Sequence, residues 1–441
     1  MPTARAHRFE ARLEEKLADG LVRPIPDGTP RFVRAPHGLP NKATAVIGMR
    51  RAGKTMFLHQ LRRERAAAGV PREHLPYLNF EDEQLVGIRA QDLGSLVDAY
   101  YRRFPDLRRK QTITWCFDEI QLVDGWERFV RRLLDEERVE VFLSGSSAAM
   151  LSREIATAMR GRAWEVVVHP FSLREALAAA ARQAPKPPLD AVSRSQLEHA
   201  FLQWLSVGGF PEAQGLSIEV RERLLRDYVD VAMMRDVVER HAVSNVLVLR
   251  RLVRHLLGNP GGLFSVEKFH SAAKSQGIAV GREAIHHMLA HLEDCFLVRT
   301  LWVDADSERR RMVNPRKVYP IDMGLIPVFD ATGREQTSRA LEVAVLLELE
   351  RRGRSVHYVR TKNGHEVDFV ARSNSGTELI QVCVDARDEA TASRELRALV
   401  EAKADYPNAR ALLLVGTRAH APKHAPADVD VLPAPEWLLE T

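Results

Sequence analysis

The chain has 441 residues, 45% of them hydrophobic and 28% charged, which excludes a disordered chain and is too long for one core, so about three domains are expected. No run approaches the roughly 18 apolar residues of a membrane span, and the start, Met1-Pro2-Thr3-Ala4-Arg5-Ala6-His7, lacks the apolar centre of a secretory signal. Cys116, Cys295 and Cys383 stand apart without metal-ligand spacing and fit a reducing cytoplasm, while the net charge of +5 is compatible with nucleic acid without establishing it.

Residues 8–18 read as a short amphipathic helix, followed by a Pro/Gly-rich connector through Pro40. Ala43-Thr44-Ala45-Val46-Ile47 reads as a buried strand, and Met56-Phe57-Leu58-His59-Gln60-Leu61 as a helix. Between them, Gly48-Met49-Arg50-Arg51-Ala52-Gly53-Lys54-Thr55 fits the phosphate-loop pattern G-x-x-x-x-G-K-[ST] at each fixed position. Such a loop wraps a nucleoside triphosphate closely enough for backbone N–H groups to reach its oxygens, and side chains at Gly48 and Gly53 would obstruct the wrapping. Gly48, Arg50, Arg51, Ala52, Gly53, Lys54, Thr55 and Met56 form the expected cradle for ATP or GTP. Lys54 supplies a charge for the β- and γ-phosphates, and the Thr55 hydroxyl can ligate Mg²⁺. Downstream, the mostly apolar Ile113-Thr114-Trp115-Cys116-Phe117 ends in Asp118-Glu119, which a parallel strand would deliver to the carboxyl edge of the sheet beside the loop. Asp118 is expected to hold Mg²⁺ through water, and Glu119 to orient and deprotonate the attacking water. Val139–Leu143 is a further strand running into Ser144-Gly145-Ser146-Ser147. Ser146 is preferred over Ser144 and Ser147 as a γ-phosphate contact, the alternative being a turn that caps a helix from about Ala148.

From Ala43 to about Pro170 strands and helices alternate as in a parallel α/β sheet. Residues 185–191 are a proline-rich break, and 192–243 read as a helical lid with a tight turn at Gly208-Gly209-Phe210-Pro211. Asp227 through Arg240 reads as one long helix carrying Arg235 and Asp236. Residues 246–321 have the pattern of a winged helix: a helix over Val246–Leu257, a Ser265-capped helix over Val266–Lys274, and a helix over Arg282–Cys295. Its wing strands are expected at Phe296–Val303 and Lys317–Ile321, around a loop from Asp304 to Arg316. Arg282, Glu283, His286 and His287 would be exposed on the last helix, and Arg309, Arg310 and Arg311 would meet phosphates from the wing. Winged helices also serve as lids or protein-docking modules, so DNA contact and a protein partner both stand at this point.

Taken together, several motifs resemble the archaeal-type AAA+ ATPases, a branch close to the STAND signalling NTPases. They are Arg50–Thr55, Phe117-Asp118-Glu119-Ile120-Gln121 with Trp126, Leu143–Ser147, Gly161-Arg162, Pro170-Phe171-Ser172 with Glu175, and Gly208–Glu212. The resemblance implies that Asn79, after Pro76-Tyr77-Leu78, restrains the catalytic glutamate. It also implies that Arg162, with Arg160 as the competing choice, is an arginine finger reaching a neighbouring subunit in a homo-oligomeric ring such as a hexamer.

The downstream half, with Tyr319-Pro320-Ile321-Asp322-Met323-Gly324-Leu325 and Glu366-Val367-Asp368-Phe369, resembles the nuclease-like domain commonly fused to those ATPases. A helix over Ser338–Arg352, strands at 355–359, 366–371 and 378–384, a helix at about 391–404 and a strand at Ala411–Val415 follow the order of the PD-(D/E)XK nuclease fold. The resemblance places Glu342, Asp368 (with Glu366) and Gln381 in a Mg²⁺ site. Cys383 stands where the nuclease lysine should be, and a thiol cannot replace an ammonium opposite a phosphate. The site is therefore expected to be degenerate.

The expected fold is α/β, with divisions at 1–40 (helix and connector), 41–184 (parallel-sheet AAA+ core), 185–245 (helical lid), 246–330 (winged helix) and 331–441 (nuclease-like α/β domain). The expected activity is Mg²⁺-dependent ATP hydrolysis that remodels or translocates on double-stranded or branched DNA, branch migration included, with no membrane association. The alternatives are a STAND-like ATP-controlled switch that binds a protein partner and an ATP-gated nuclease.

Overall fold

Five strands build the first sheet: β1 (Ala43–Ile47), β2 (Tyr77–Asn79), β3 (Ile113–Asp118), β4 (Val139–Gly145) and β5 (Ala163–Val167). Their order is β2-β3-β4-β1-β5, with every neighbouring pair parallel. This computed structural model describes residues 4–146, 159, 161–330 and 336–440, and the chain divides into two compact units, Met1–Val168 and His169–Thr441. β1 and β3 are buried at every position, as continuous apolar runs must be when helices cover both faces of a parallel sheet. The helix Lys54–Ala67 seats Phe57, Leu58 and Leu61 against Val46, Cys116 and Phe142. The helix Trp126–Glu136 buries Trp126, Phe129, Val130 and Leu133, a helical spacing that fixes one face inward. The helix Lys54–Ala67 runs beyond the stretch expected at Met56–Leu61, and the N-terminal helix, Ala4–Val22, runs beyond 8–18. The helix expected from about Ala148, together with Ser147 and Arg160, lies outside the described residues.

The second unit opens on the helix Leu173–Ala179, started by a capping box in which Ser172 and Glu175 satisfy each other's backbone N–H groups. Ala191–Val207 and Ile218–Val231 follow as helices. The helix expected over 227–240 thus begins earlier, at Ile218, and it widens into a π-helical segment over Ala232–Glu239. Two motifs quoted separately in the sequence form one clasp. Asp322 accepts from the backbone N–H of Gly209 at 2.6 Å and of Gly324 at 2.9 Å. Gly208 has φ +84°, and a Cβ there would lie 2.0 Å from Asp322 Oδ1, so only glycine fits.

After the helix Val246–Leu257 come β6 (Gly262–Phe264), helices Val266–Ser275 and Arg282–Asp294, β7 (Val298–Leu301) and β8 (Arg316–Pro320). The strands form an antiparallel sheet in the order β6-β8-β7. The stretch expected as a loop between β7 and β8 contains a helix, Glu308–Val313, capped by the Ser307 hydroxyl. A charge run had hidden it. The C-terminal sheet has β9 (Ser355–Arg360), β10 (Glu366–Ser373), β11 (Gly376–Cys383), β12 (Arg410–Val415) and β13 (Val429–Pro433), ordered β13-β12-β11-β10-β9. β9, β10 and β11 pair antiparallel, whereas β11, β12 and β13 pair parallel. The helix Thr337–Arg351 precedes this sheet, and Glu389–Asp405 packs Leu396 and Leu399 into its core with Val370, Leu379 and Leu413.

Candidate active site

The turn from β1 into the helix Lys54–Ala67 carries the phosphate-loop motif. Gly48 has φ +147°, and a Cβ there would lie 2.2 Å from the Val168 carbonyl oxygen, so the loop closes against that backbone only without a side chain. Lys54 is 5% exposed, and its ammonium donates to the carbonyls of Gly48 and Met49 at 3.1 Å each. The Arg31 guanidinium donates to the Ala52 carbonyl at 2.7 Å and ties the connector to the loop. Arg51 sits in the left-handed region at φ +66°, Arg50 is 3.5 Å from Glu81, and Met56 lies half-buried in the first helical turn.

Asp118 ends β3 fully buried, surrounded by hydroxyl donors. Thr55 Oγ1 lies 2.7 Å from Asp118 Oδ2, Tyr77 Oη 2.8 Å from the same oxygen, and Ser144 Oγ bonds Oδ1. A carboxylate accepts hydrogen bonds through both oxygens, so the three hydroxyl donors fix its orientation. The Thr55 hydroxyl and the Asp118 carboxylate are hard oxygen ligands in contact, which fits Mg²⁺. Glu119, 8% exposed, follows with φ +53°, and its N–H donates to Ser144 Oγ at 2.9 Å. Burial pushes the Glu119 carboxyl up from its ordinary value, opposed by the charge of Lys54. A raised carboxyl is the better proton acceptor once ionised.

Two expectations need adjusting. Asn79 pairs in register with Asp118, but its Oδ1 accepts from the Glu81 N–H at 2.9 Å, closing a turn of its own. The side chain that holds the Glu119 carboxylate is Gln121, through Nε2. Its signal in the sequence is its place two residues past the glutamate, on a 3₁₀ turn. Likewise Ser144, passed over for Ser146, supports both acids, and Ser146 lies buried just past the end of β4.

Arg162 precedes β5, and its carbonyl accepts from Ala43 N at 2.8 Å, at the amino end of β1. The phosphate loop leaves the carboxyl end, so about five strand residues, or roughly 15 Å, separate the two. The guanidinium is paired with Asp135 and one-third exposed. Arg282 and His286 are exposed on the helix Arg282–Asp294, whose Ile285, Met288, Leu289 and Leu292 face inward. Arg282 pairs with Glu267 at 2.8 Å, and Arg309 and Arg310 are exposed while Arg311 is half-buried. Glu342 of the helix Thr337–Arg351 does converge with Asp368 and Gln381 of the C-terminal sheet, and Lys317 of β8 joins them. Among the described residues no helix is long and apolar enough to cross a membrane.

Residues 40–177 match the AAA domain family, and residues 198–336 and 338–437 match two domains of unknown function, DUF8612 and DUF4143. The chain is 34% identical to uncharacterized protein MJ1544 of Methanocaldococcus jannaschii over 375 residues, covering 83% of this chain and 80% of that protein. It is 28% identical over 399 residues to an uncharacterized protein of Haemophilus influenzae, covering 90% of this chain and 94% of the relative. Among solved structures, the Walker-type ATPase paby2304 of Pyrococcus abyssi is similar at 15% identity and a TM-score of 0.38, over 72% of this chain and 94% of that one. The chain belongs to the same family as the Methanocaldococcus jannaschii protein, and its residues 40–177, which hold the five-stranded parallel sheet, match the AAA domain.

Proposed function

We propose that the protein is a Mg²⁺-dependent ATP hydrolase that acts on DNA as a homo-oligomer. The observation that carries the catalytic part is the 2.7 Å contact between Thr55 Oγ1 and Asp118 Oδ2, which joins the two halves of the nucleotide site. Bound Mg²⁺ would neutralise charge on the β- and γ-phosphates from these two side chains. Lys54 exchanges its carbonyl partners for phosphate oxygens. Glu119 takes the proton of the attacking water, with its carboxylate oriented by Gln121. Arg162, at the far end of its own sheet, offsets the charge on a neighbouring subunit's γ-phosphate.

DNA contact is supported by the order helix, strand, two helices, two strands over 246–320, that of a winged helix with the short helix Glu308–Val313 set between its last two strands, and by the exposed Arg282, His286, Arg309 and Arg310. These side chains suit phosphate contact, so binding is largely independent of sequence. A second reading, an ATP-controlled switch with a protein partner, is favoured by Met312 and Val313, which are 69% and 74% exposed beside the arginines.

ATP turnover measured with duplex, forked and single-stranded DNA tests the proposal. Turnover should rise several-fold with DNA, and the rise should fade as salt weakens phosphate contacts. Turnover indifferent to DNA supports the switch. Folded protein with Mg²⁺ and no affinity for ATP overturns both.

A further inference from the structure

The acid cluster formed by the helix Thr337–Arg351 and β10 already holds a cation. Lys317 of β8 is 2% exposed, and its Nζ lies 3.1 Å from Glu342 Oε1, 2.8 Å from Glu366 Oε1 and 3.0 Å from Asp368 Oδ1. An ammonium has three N–H donors, and here three carboxylates accept them, leaving none for a water or a phosphate. Neighbouring groups are also committed. Tyr319 Oη donates to Glu342 Oε1 at 2.6 Å, and Val382 N donates to Asp368 Oδ2 at 3.1 Å. Gln381 accepts from Asp368 N through Oε1 at 3.1 Å and donates to Glu395 through Nε2 at 2.7 Å.

A divalent ion bound by Glu342 and Asp368 would need their oxygens at roughly 2.0–2.6 Å, and Glu342 Oε1 and Asp368 Oδ1 already bond the ammonium while Asp368 Oδ2 accepts from Val382 N. Two cations would compete for the same acceptors at close range. The lysine is held there by the fold. β8 is the middle strand of its sheet, with β6 on one side and β7 on the other. The chain leaving β7 is fastened to β9 by Tyr358 N to Trp302 O at 3.1 Å and by Asp304 N to Tyr358 O at 2.7 Å. Arg372 of β10 adds two bonds to the Asp304 carboxylate. The residues present therefore do not fit the Mg²⁺ of an active nuclease.

We propose that Lys317 is the resident cation of this carboxylate cluster: it takes the place of a divalent ion and turns a nuclease-like sheet into the docking partner of the β6-β8-β7 sheet. The lysine missing at Cys383 is thus not supplied from elsewhere for catalysis. It is a counter-ion, and the cluster is a structural joint that binds no metal. This proposal is independent of the ATPase reading, since it concerns no residue of the nucleotide site.

The test uses nucleotide-free full chain as wild type, Lys317→Met, Asp368→Asn and the double variant, titrated with MnCl₂. Bound Mn²⁺ is read by electron paramagnetic resonance and Tm by circular dichroism. Wild type and Asp368→Asn should bind Mn²⁺ alike, and Mn²⁺ should leave the wild-type Tm unmoved. Lys317→Met should melt lower and regain several degrees with Mn²⁺, as a ligand that binds only the folded state requires, and the double variant should lose that gain. A wild type that binds one more Mn²⁺ than Asp368→Asn overturns the proposal. So does Mn²⁺-dependent DNA cleavage lost in Asp368→Asn, or a folded Lys317→Met that gains no Mn²⁺ site. Should Lys317→Met not fold, the comparison of wild type with Asp368→Asn decides alone.

Discussion

Lys54 and Lys317 are both buried near carboxylates, yet their partners give them opposite availability. Lys54 rests on two backbone carbonyls, while Asp118 beside it is held by hydroxyls of Thr55, Tyr77 and Ser144. Bonds to carbonyls and hydroxyls are weaker than bonds to a carboxylate, so an incoming ligand displaces them at lower cost. Lys317 instead spends its donors on Glu342, Glu366 and Asp368. An ammonium inside a carboxylate cluster completes it from within. What the charged groups already hold, rather than which of them are present, separates a receptive site from a joint.

The contrast can be broken most sharply at the nucleotide site. Arg162→Ala should lower ATP turnover on the order of 10³-fold, and mixing it with Lys54→Ala subunits should restore activity, since each lends what the other lacks. Mixed assemblies of verified composition without recovery would put Arg162 outside the site. Glu119→Gln should keep ATP binding and lose about 10²-fold or more in turnover; a normal rate moves the base elsewhere. At the joint the expected signature is reversed: Lys317→Met should lower unfolding free energy by about 3 kcal/mol, the scale for stranding buried partners, with ATP turnover unchanged. A calorimetric scan beside a turnover assay distinguishes the two.

Smaller effects sharpen the picture. Burial raises the Asp322 carboxyl from 3.8 to about 7, so across that window the folded chain keeps a proton the unfolded chain has lost. Its contribution to stability is fully present at the acid end and is lost as pH rises through about 7. Asp322→Asn should therefore flatten the fall of Tm between pH 4 and 7; an unchanged slope would assign it to other groups. Gln121→Ala should lower kcat only a few-fold with KM unchanged. It should also move the acid limb of the pH profile upward, because the lost hydrogen bond favoured the charged form of Glu119. A merely structural glutamine would leave that limb in place.

The candidate nucleotide site is legible because its parts are local. A strand, a glycine-rich turn and a helix follow one another over residues 43–61, and Asp118-Glu119 ends an unbroken apolar run. The register that puts Ser144 on Asp118 is not, since it depends on β4 lying beside β3. β6 escaped notice because it has only Gly262-Leu263-Phe264, with two of the three exposed. β13 follows a proline- and histidine-containing tract and ends in Pro433, features that read as loop. Lys317 looked like the first residue of a wing strand. Its partners lie 25 to 51 residues further along, beyond the reach of any periodicity.

The clasp at Asp322 has a mechanical consequence. Helix Ala191–Val207 ends at Gly208, where a pivot would ordinarily be sought, but turning there would strip the buried Asp322 carboxyl of the Gly209 N–H. The joint is locked, so helix and β8 turn must travel as one stiff arm. Any rotation delivered to that arm reaches Pro320 undiminished, and three residues upstream it tugs on the ammonium of Lys317.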